Sequence, residues 1–276
     1  RPDEMPLASR RPTANSVCEV RRVRLFSRTM HDAIHNSRGE QLDYTFGPGA
    51  KDVKKQDWIV LLGHGVTGNK DRPVVVDTAH ALNAAGCDTL RFSFSGNGAS
   101  GGDFREATIT KETGDLGAVL DAVEPHYRAI AYAGHSMGGA VGVLVAAKDC
   151  RIRRLISIAG MVDTRRFAET EFGDVTPGTG TMWDEPGLPL SSEFMRDLRE
   201  TVGSTAPAAE MINVPWLLVH GTEDDLVLPE DTAEIERRKG TSVDIVRVRG
   251  ADHSFDAPEH KRQLTEAVVD WLTRNV

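Results

Sequence analysis

Short, uninterrupted apolar runs alternate with stretches of helical spacing along most of this chain. The runs are "VRRVRLF" (20–26), "QLDYTFGPG" (41–49), "DWIVLLGHG" (57–65), "DTLRFSFSG" (88–96), "AIAYAGHS" (129–136), "RLISIAG" (154–160), "PWLLVHG" (215–221) and "VDIVRVRG" (243–250). Hydrophobicity that is continuous suits strands covered on both faces, as in a parallel sheet. The first two runs read as an antiparallel opening pair. Residues 74–85, 109–123, 138–148, 230–238 and 258–273 carry helix spacing. Repeated strand–helix alternation predicts an α/β fold with a doubly wound, mostly parallel, eight-stranded sheet. Functional loops are then expected beyond the carboxyl ends of the strands.

Two segments break the rhythm. Residues 1–16 are polar and carry prolines, and read as a loose N-terminal segment. Residues 161–213 mix Gly, Pro and apolar residues over a length too great for a simple connection, and read as an inserted cap. The core is therefore expected over 17–160 and 214–276.

Composition narrows the function classes. The chain has 276 residues, 39% hydrophobic and 27% charged, which is ample for one sizeable core. A formal net charge of −8 gives no electrostatic case for nucleic acid or an anionic membrane surface. The longest apolar run, around 140–147, is far too short to span a bilayer. Cys18, Cys87 and Cys150 are scattered and odd in number, which suggests no disulfide framework, no zinc spacing and a reducing compartment. A cytoplasmic location is the expectation. The chain does not begin with Met, so a removed leader is compatible with it. Oligomeric state is not legible.

The candidate chemistry lies at the strand ends. "G-H-S-M-G" (134–138) fits a nucleophile elbow, a strained strand-to-helix turn that exposes a serine. "G-A-S-G-G" (98–102) fits the same pattern, but Ser100 follows a loop and runs into more glycine. Ser136 ends a strand and starts a helix, so Ser136 is the candidate. A serine needs a base, and the base an orienting acid. His253 falls just beyond the last predicted strand, whereas His260 sits inside the terminal helix. His31 and His35 lie four apart without a third ligand, a weak basis for a metal site. Glu223, Asp224 and Asp225 follow the preceding strand and are all candidates for the acid. The order serine, acid, histidine is that of a hydrolase with this architecture. Backbone amides of Met137 and of Val66, in the loop "L-G-H-G-V-T-G-N-K" (62–70), suit an oxyanion hole.

With "HGVTGNK", "RFSFSGNGASGGDF", "GHSMGG", "HGTEDDLVLP" and "GADHSF" in that order, the chain resembles the α/β-hydrolase superfamily. It is similar in particular to the serine-hydrolase branch of cinnamoyl and feruloyl esterases, monoacylglycerol lipases and serine aminopeptidase-like proteins. The resemblance covers roughly 20–275 and is weakest across 161–213. It implies Ser136 as nucleophile, Asp224 as acid, because it occupies the fifth position of "HGTxD", and His253 as base. Val66 and Met137 are implied as the oxyanion hole. Ser93 stands where the family usually has Asp, a departure that touches support around the site. A serine at the elbow, where relatives carry Asp or Cys, implies acyl transfer through an acyl-enzyme, with no cofactor and no metal.

The leading expectation is hydrolysis of carboxylic esters with small or medium acyl groups. An aminopeptidase or amidase needs a cap carboxylate for the substrate amine, and Asp163, Glu169, Glu171, Asp184 and Glu185 are available. A ligand-binding protein of this fold without turnover is the third reading. Among the cap's apolar residues, Trp183, Phe172 and Met182 are candidates to line an acyl pocket.

Overall fold

The computed structural model describes residues 32–51 and 58–275. A two-stranded antiparallel ribbon, β1 (Ile34–His35) and β2 (Gln41–Leu42), comes first. There follow β3 (Tyr44–Gly47), β4 (Trp58–Gly63), α1 (Pro73–Ala84), β5 (Asp88–Phe92), α2 (Ile109–Val123), β6 (Ala129–His135), α3 (Met137–Ala146) and β7 (Ile152–Ile158). The long segment after β7 holds α4 (Thr164–Phe172), α5 (Ser192–Arg196) and α6 (Ala206–Ala209). The chain then completes β8 (Trp216–Gly221), α7 (Glu230–Lys239), β9 (Asp244–Val248) and α8 (Pro258–Arg274).

The described strands beyond the ribbon form one seven-stranded sheet in the order β3-β5-β4-β6-β7-β8-β9. Only β3 runs antiparallel to its neighbour. This is the doubly wound sheet of the α/β-hydrolase fold. The expected eighth strand, 20–26, and the loose segment 1–16 lie outside the described residues, as does the pairing of 20–26 with 41–49.

Local chemistry accounts for the element ends. Thr108 caps α2 by accepting the Lys111 amide at 3.1 Å, and α1 and α8 begin on prolines whose missing N–H costs nothing there. Side chains alternate across each strand, so every central strand feeds two cores. Leu61, Tyr132 and Trp216 pack with α2 and α3 on one face, while Leu62, Ala133 and Val219 pack with α1 and α8 on the other.

The segment between β7 and β8 joins the first of these cores through Phe167, Phe172, Met182 and Phe194. A π-helical turn at Asp197–Val202 rests on the start of α2, where Asp197 Oδ2 accepts the Thr110 amide at 3.1 Å. Among the described residues, no helix is long and apolar enough to cross a membrane. Cys87 is free and buried, but Cys150 is disulfide-bonded. The bond at Cys150 departs from the expectation of no disulfide framework, and the cysteine argument for a reducing compartment falls with it.

Candidate active site

Ser136 stands alone between β6 and α3 with φ 55° and ψ −122°, a conformation that L side chains adopt only under constraint. Close backbone packing supplies the constraint. A Cβ on Gly134 would lie 2.2 Å from the Gly138 carbonyl oxygen, and one on Gly138 would lie 2.5 Å from that of His64. Both positions therefore require glycine, which is why the serine is flanked as it is. A Cβ on Gly65 would lie 3.0 Å from Ser136 Oγ, so the backbone at Gly65 runs directly beside the hydroxyl. Met137 is the first residue of α3, and its N–H has no intrahelical acceptor.

His253 and Asp224 meet from loops that follow β9 and β8. His253 Nδ1 lies 2.9 Å from Asp224 Oδ2. A carboxylate only accepts, so Nδ1 carries the proton and Nε2 presents its lone pair. Asp224 is buried, and its Oδ1 accepts the amides of Leu226 at 3.1 Å and Val227 at 2.9 Å. His220 Nε2 approaches Oδ2 at 3.2 Å. Burial alone would raise the Asp224 pKa. Hydrogen bonds from His220, His253 and Val227 outweigh it and hold the carboxyl well below the usual carboxylate range. Asp225 and Glu223 are exposed.

Ser136 and His253 line one cavity of about 630 Å³, together with Val66, Trp183 and Leu188. Two sequence expectations fail here. Phe172 and Met182 are buried in the packing of the segment itself, Phe172 against Phe167, Trp183 and Phe194, and neither lines the cavity. Ser100 holds loops together instead. Its hydroxyl donates to the Ser93 carbonyl at 2.7 Å and accepts the Asp43 amide at 2.8 Å. Ser93 Oγ in turn accepts the Lys70 amide at 3.1 Å. His35 is exposed on β1, His31 lies outside the described residues, and no metal-binding group is found among the described ones.

The sequence pattern of the prolyl oligopeptidase family matches residues 78–276, well over half of the chain. The chain belongs to the prolyl oligopeptidase family. That match contains Ser136, Asp224 and His253 and begins after the Gly65–Val66 loop. Human mitochondrial palmitoyl-protein thioesterase ABHD10 is 25% identical over 199 residues, covering 67% of this chain. The match spans about 63% of that relative's length. Among solved structures, esterase Est1E from Butyrivibrio proteoclasticus with bound ferulic acid superposes with a TM-score of 0.78 at 24% identity. That superposition covers 88% of this chain and 98% of the other. A monoacylglycerol lipase from Paleococcus ferrophilus gives a TM-score of 0.69 at 20% identity, covering 85% and 99%. At these identities the structures establish a shared α/β-hydrolase fold.

Three histidines of this prolyl oligopeptidase-family chain escape a reading of the sequence. His220 Nε2 donates to the Val227 carbonyl at 2.8 Å, and its Nδ1 accepts from Thr232 Oγ1 at 2.8 Å. His135 Nε2 donates to the His253 carbonyl at 3.0 Å. His64 Nδ1 donates to the Gly65 carbonyl at 2.8 Å, while its Nε2 accepts the Phe94 amide at 3.0 Å. Each braces a different part of the site: acid loop, base loop and the loop beside the serine. The available signal is position, because a histidine at the end of a buried strand needs partners.

Burial, followed by the charge of His253, depresses His135 to about 3, and burial depresses His64 to about 4. Both are neutral in the fold near pH 5, where the unfolded chain's histidines are protonated. The unfolded state then binds more protons. Stability from these groups is complete above about pH 6.5 and declines as pH falls through it. Each group costs on the order of 2 kcal/mol at about pH 5. Burial, and then Asp115 and Asp197, push buried Glu112 well above the usual carboxylate range, which acts in the opposite sense, so the test compares variants. Urea unfolding of His135→Gln should show a stability difference between about pH 7 and 5 that is roughly 2 kcal/mol smaller than in the parent. An equal difference in both proteins would refute a neutral, buried His135.

Proposed function

We propose that this protein is a serine hydrolase that cleaves carboxylic esters or thioesters through an acyl-enzyme on Ser136. The observation that carries this reading is one cavity shared by a strained serine and a histidine whose far nitrogen is bound to a buried carboxylate. Ser136 Oγ attacks the acyl carbon as His253 Nε2 takes its proton, and the developing oxyanion rests on the Val66 and Met137 amides. His253 then gives the proton to the leaving group. A water, deprotonated by the same nitrogen, releases the acid. Asp224 holds the productive tautomer and stabilises the imidazolium. Residues 161–213 serve as the cap, because Phe167, Trp183, Glu185 and Leu188 line the cavity from that segment.

Amide hydrolysis keeps one specific support. Of the proposed amine-binding carboxylates, Asp163 caps α4, Glu169 pairs with Arg199 and Glu171 accepts Trp183 Nε1, whereas Glu185 lines the cavity. The deciding experiment combines labelling of Ser136 by a fluorophosphonate with a panel of p-nitrophenyl esters and aminoacyl anilides. Labelling with ester turnover supports the proposal. Anilide turnover alone moves the assignment to an amidase, and no labelling removes catalysis by serine.

Trp183 sits at the cavity in a left-handed conformation, φ 51°, with its indole over Phe172 at 5.0 Å. Trp183→Ala should change the relative kcat/KM across acyl chain lengths by about 1–3 kcal/mol, the scale of a lost apolar pocket contact. Fluorophosphonate labelling should persist. Identical relative rates over the panel would remove Trp183 from the acyl pocket.

A further inference from the structure

The cavity holding Ser136 and His253 carries three charged side chains, Arg72, Glu185 and Asp256. Arg72 directly precedes α1, seven residues after Gly65, at the end of the loop that runs beside the serine hydroxyl. Its Nη2 donates to the Thr67 carbonyl at 3.2 Å, which anchors the guanidinium to that loop. Among the described residues no carboxylate pairs with it, whereas Arg91, Arg151 and Arg166 are each matched to aspartates. A guanidinium has five N–H donors, so most of its hydrogen-bonding capacity is uncommitted.

The charge also acts where the chemistry lies. After burial and the nearer groups, Arg72 is one of the charges that hold His64 and His135 below the ordinary histidine range. Glu185 reaches the cavity from the segment between β7 and β8, and Asp256 from the loop that carries His253. Among the described residues Arg72 is thus the one arginine or lysine lining the cavity, on the loop beside the serine, and the two carboxylates disfavour an anion on their own walls.

We propose that Arg72 is a specificity-determining residue that selects esters bearing a second, anionic group, a carboxylate or phosphate, in addition to the scissile bond. The proposal rests on the ester-hydrolase reading above. Arg72's planar fork matches a carboxylate or phosphate through paired, charge-assisted hydrogen bonds, which a neutral substituent of the same size does not form.

The test compares matched substrates on two arms. The acyl-side arm sets p-nitrophenyl hydrogen glutarate against p-nitrophenyl pentanoate. The alcohol-side arm sets 4-acetoxybenzoate against its methyl ester. The parent protein should prefer the anionic ester on at least one arm. Arg72→Gln should reduce the anionic-to-neutral ratio of kcat/KM on that arm by about tenfold or more, chiefly through KM. Arg72→Lys should retain part of the preference, because it keeps the charge and loses the fork. Equilibrium binding of the same esters to Ser136→Ala, with and without Arg72→Gln, reads the contact without turnover. Charge-selective binding without hydrolysis by the parent would overturn the esterase reading and leave Arg72 assigned. Hydrolysis with no anionic preference, or a ratio that Arg72→Gln leaves within about twofold on both arms, overturns the Arg72 proposal alone.

Discussion

Ser136→Ala is expected to lower ester kcat by about three to six orders of magnitude while the protein stays folded. Alanine carries no nucleophile, but the proposed oxyanion hole of Val66 and Met137 and the cavity remain, so a residual rate above solution is expected. Backbone strain at φ 55° is already sustained by the contacts of Gly134 and Gly138, and a side chain smaller than serine adds none. The paired control is Ser100→Ala, which fits the same five-residue pattern. Its hydroxyl bridges Ser93 and Asp43, so its loss should cost about 1–2 kcal/mol of stability and leave most activity. Steady-state kinetics and urea unfolding on both variants decide the matter. Activity retained in Ser136→Ala and lost in Ser100→Ala would reverse the assignment.

The contrast between the two serines shows what the sequence carries and what it does not. A strand running into a helix is written in residues 129–146, because the apolar period changes at Ser136, and α2 is legible from Ile109 to Val123 in its helical spacing. Segments governed by such local rules appear where the pattern places them. The segment between β7 and β8 has no such period. Its chain passes through left-handed residues Trp183 and Asp184 and a π-helical turn, so spacing does not reveal which aromatic side chain turns inward. Phe172 and Met182 suit the pocket on hydrophobicity alone, a property that a core residue and a pocket residue share. The bracing histidines are hidden for another reason. His64, His135 and His220 act through backbone carbonyls and amides distant in sequence, and residue type encodes nothing about such partners.

Asp224→Asn should reduce kcat by about 10⁴-fold, and Asp225→Asn by less than about tenfold. The hydrogen bonds around Asp224 require both oxygens to accept: Oδ1 from the Leu226 and Val227 amides, Oδ2 from His253 and His220. An asparagine has one acceptor and one donor end. If its oxygen faces the two amides, its NH₂ meets His253 Nδ1, which must then become an acceptor. The ring proton moves to Nε2, the atom that has to receive the Ser136 proton, and the base is disabled without any change of shape. If the amide flips, the oxygen serves His253 while the NH₂ opposes two N–H donors in a buried turn, at a cost of about 1–3 kcal/mol for the unsatisfied groups. The first orientation satisfies more groups, so the loss should appear in kcat rather than in stability. Asp225 is exposed and shares none of these contacts. Kinetics with fold checked by circular dichroism separates the outcomes. A crippled Asp225→Asn beside an active Asp224→Asn would move the acid by one residue and contradict the 2.9 Å contact with His253.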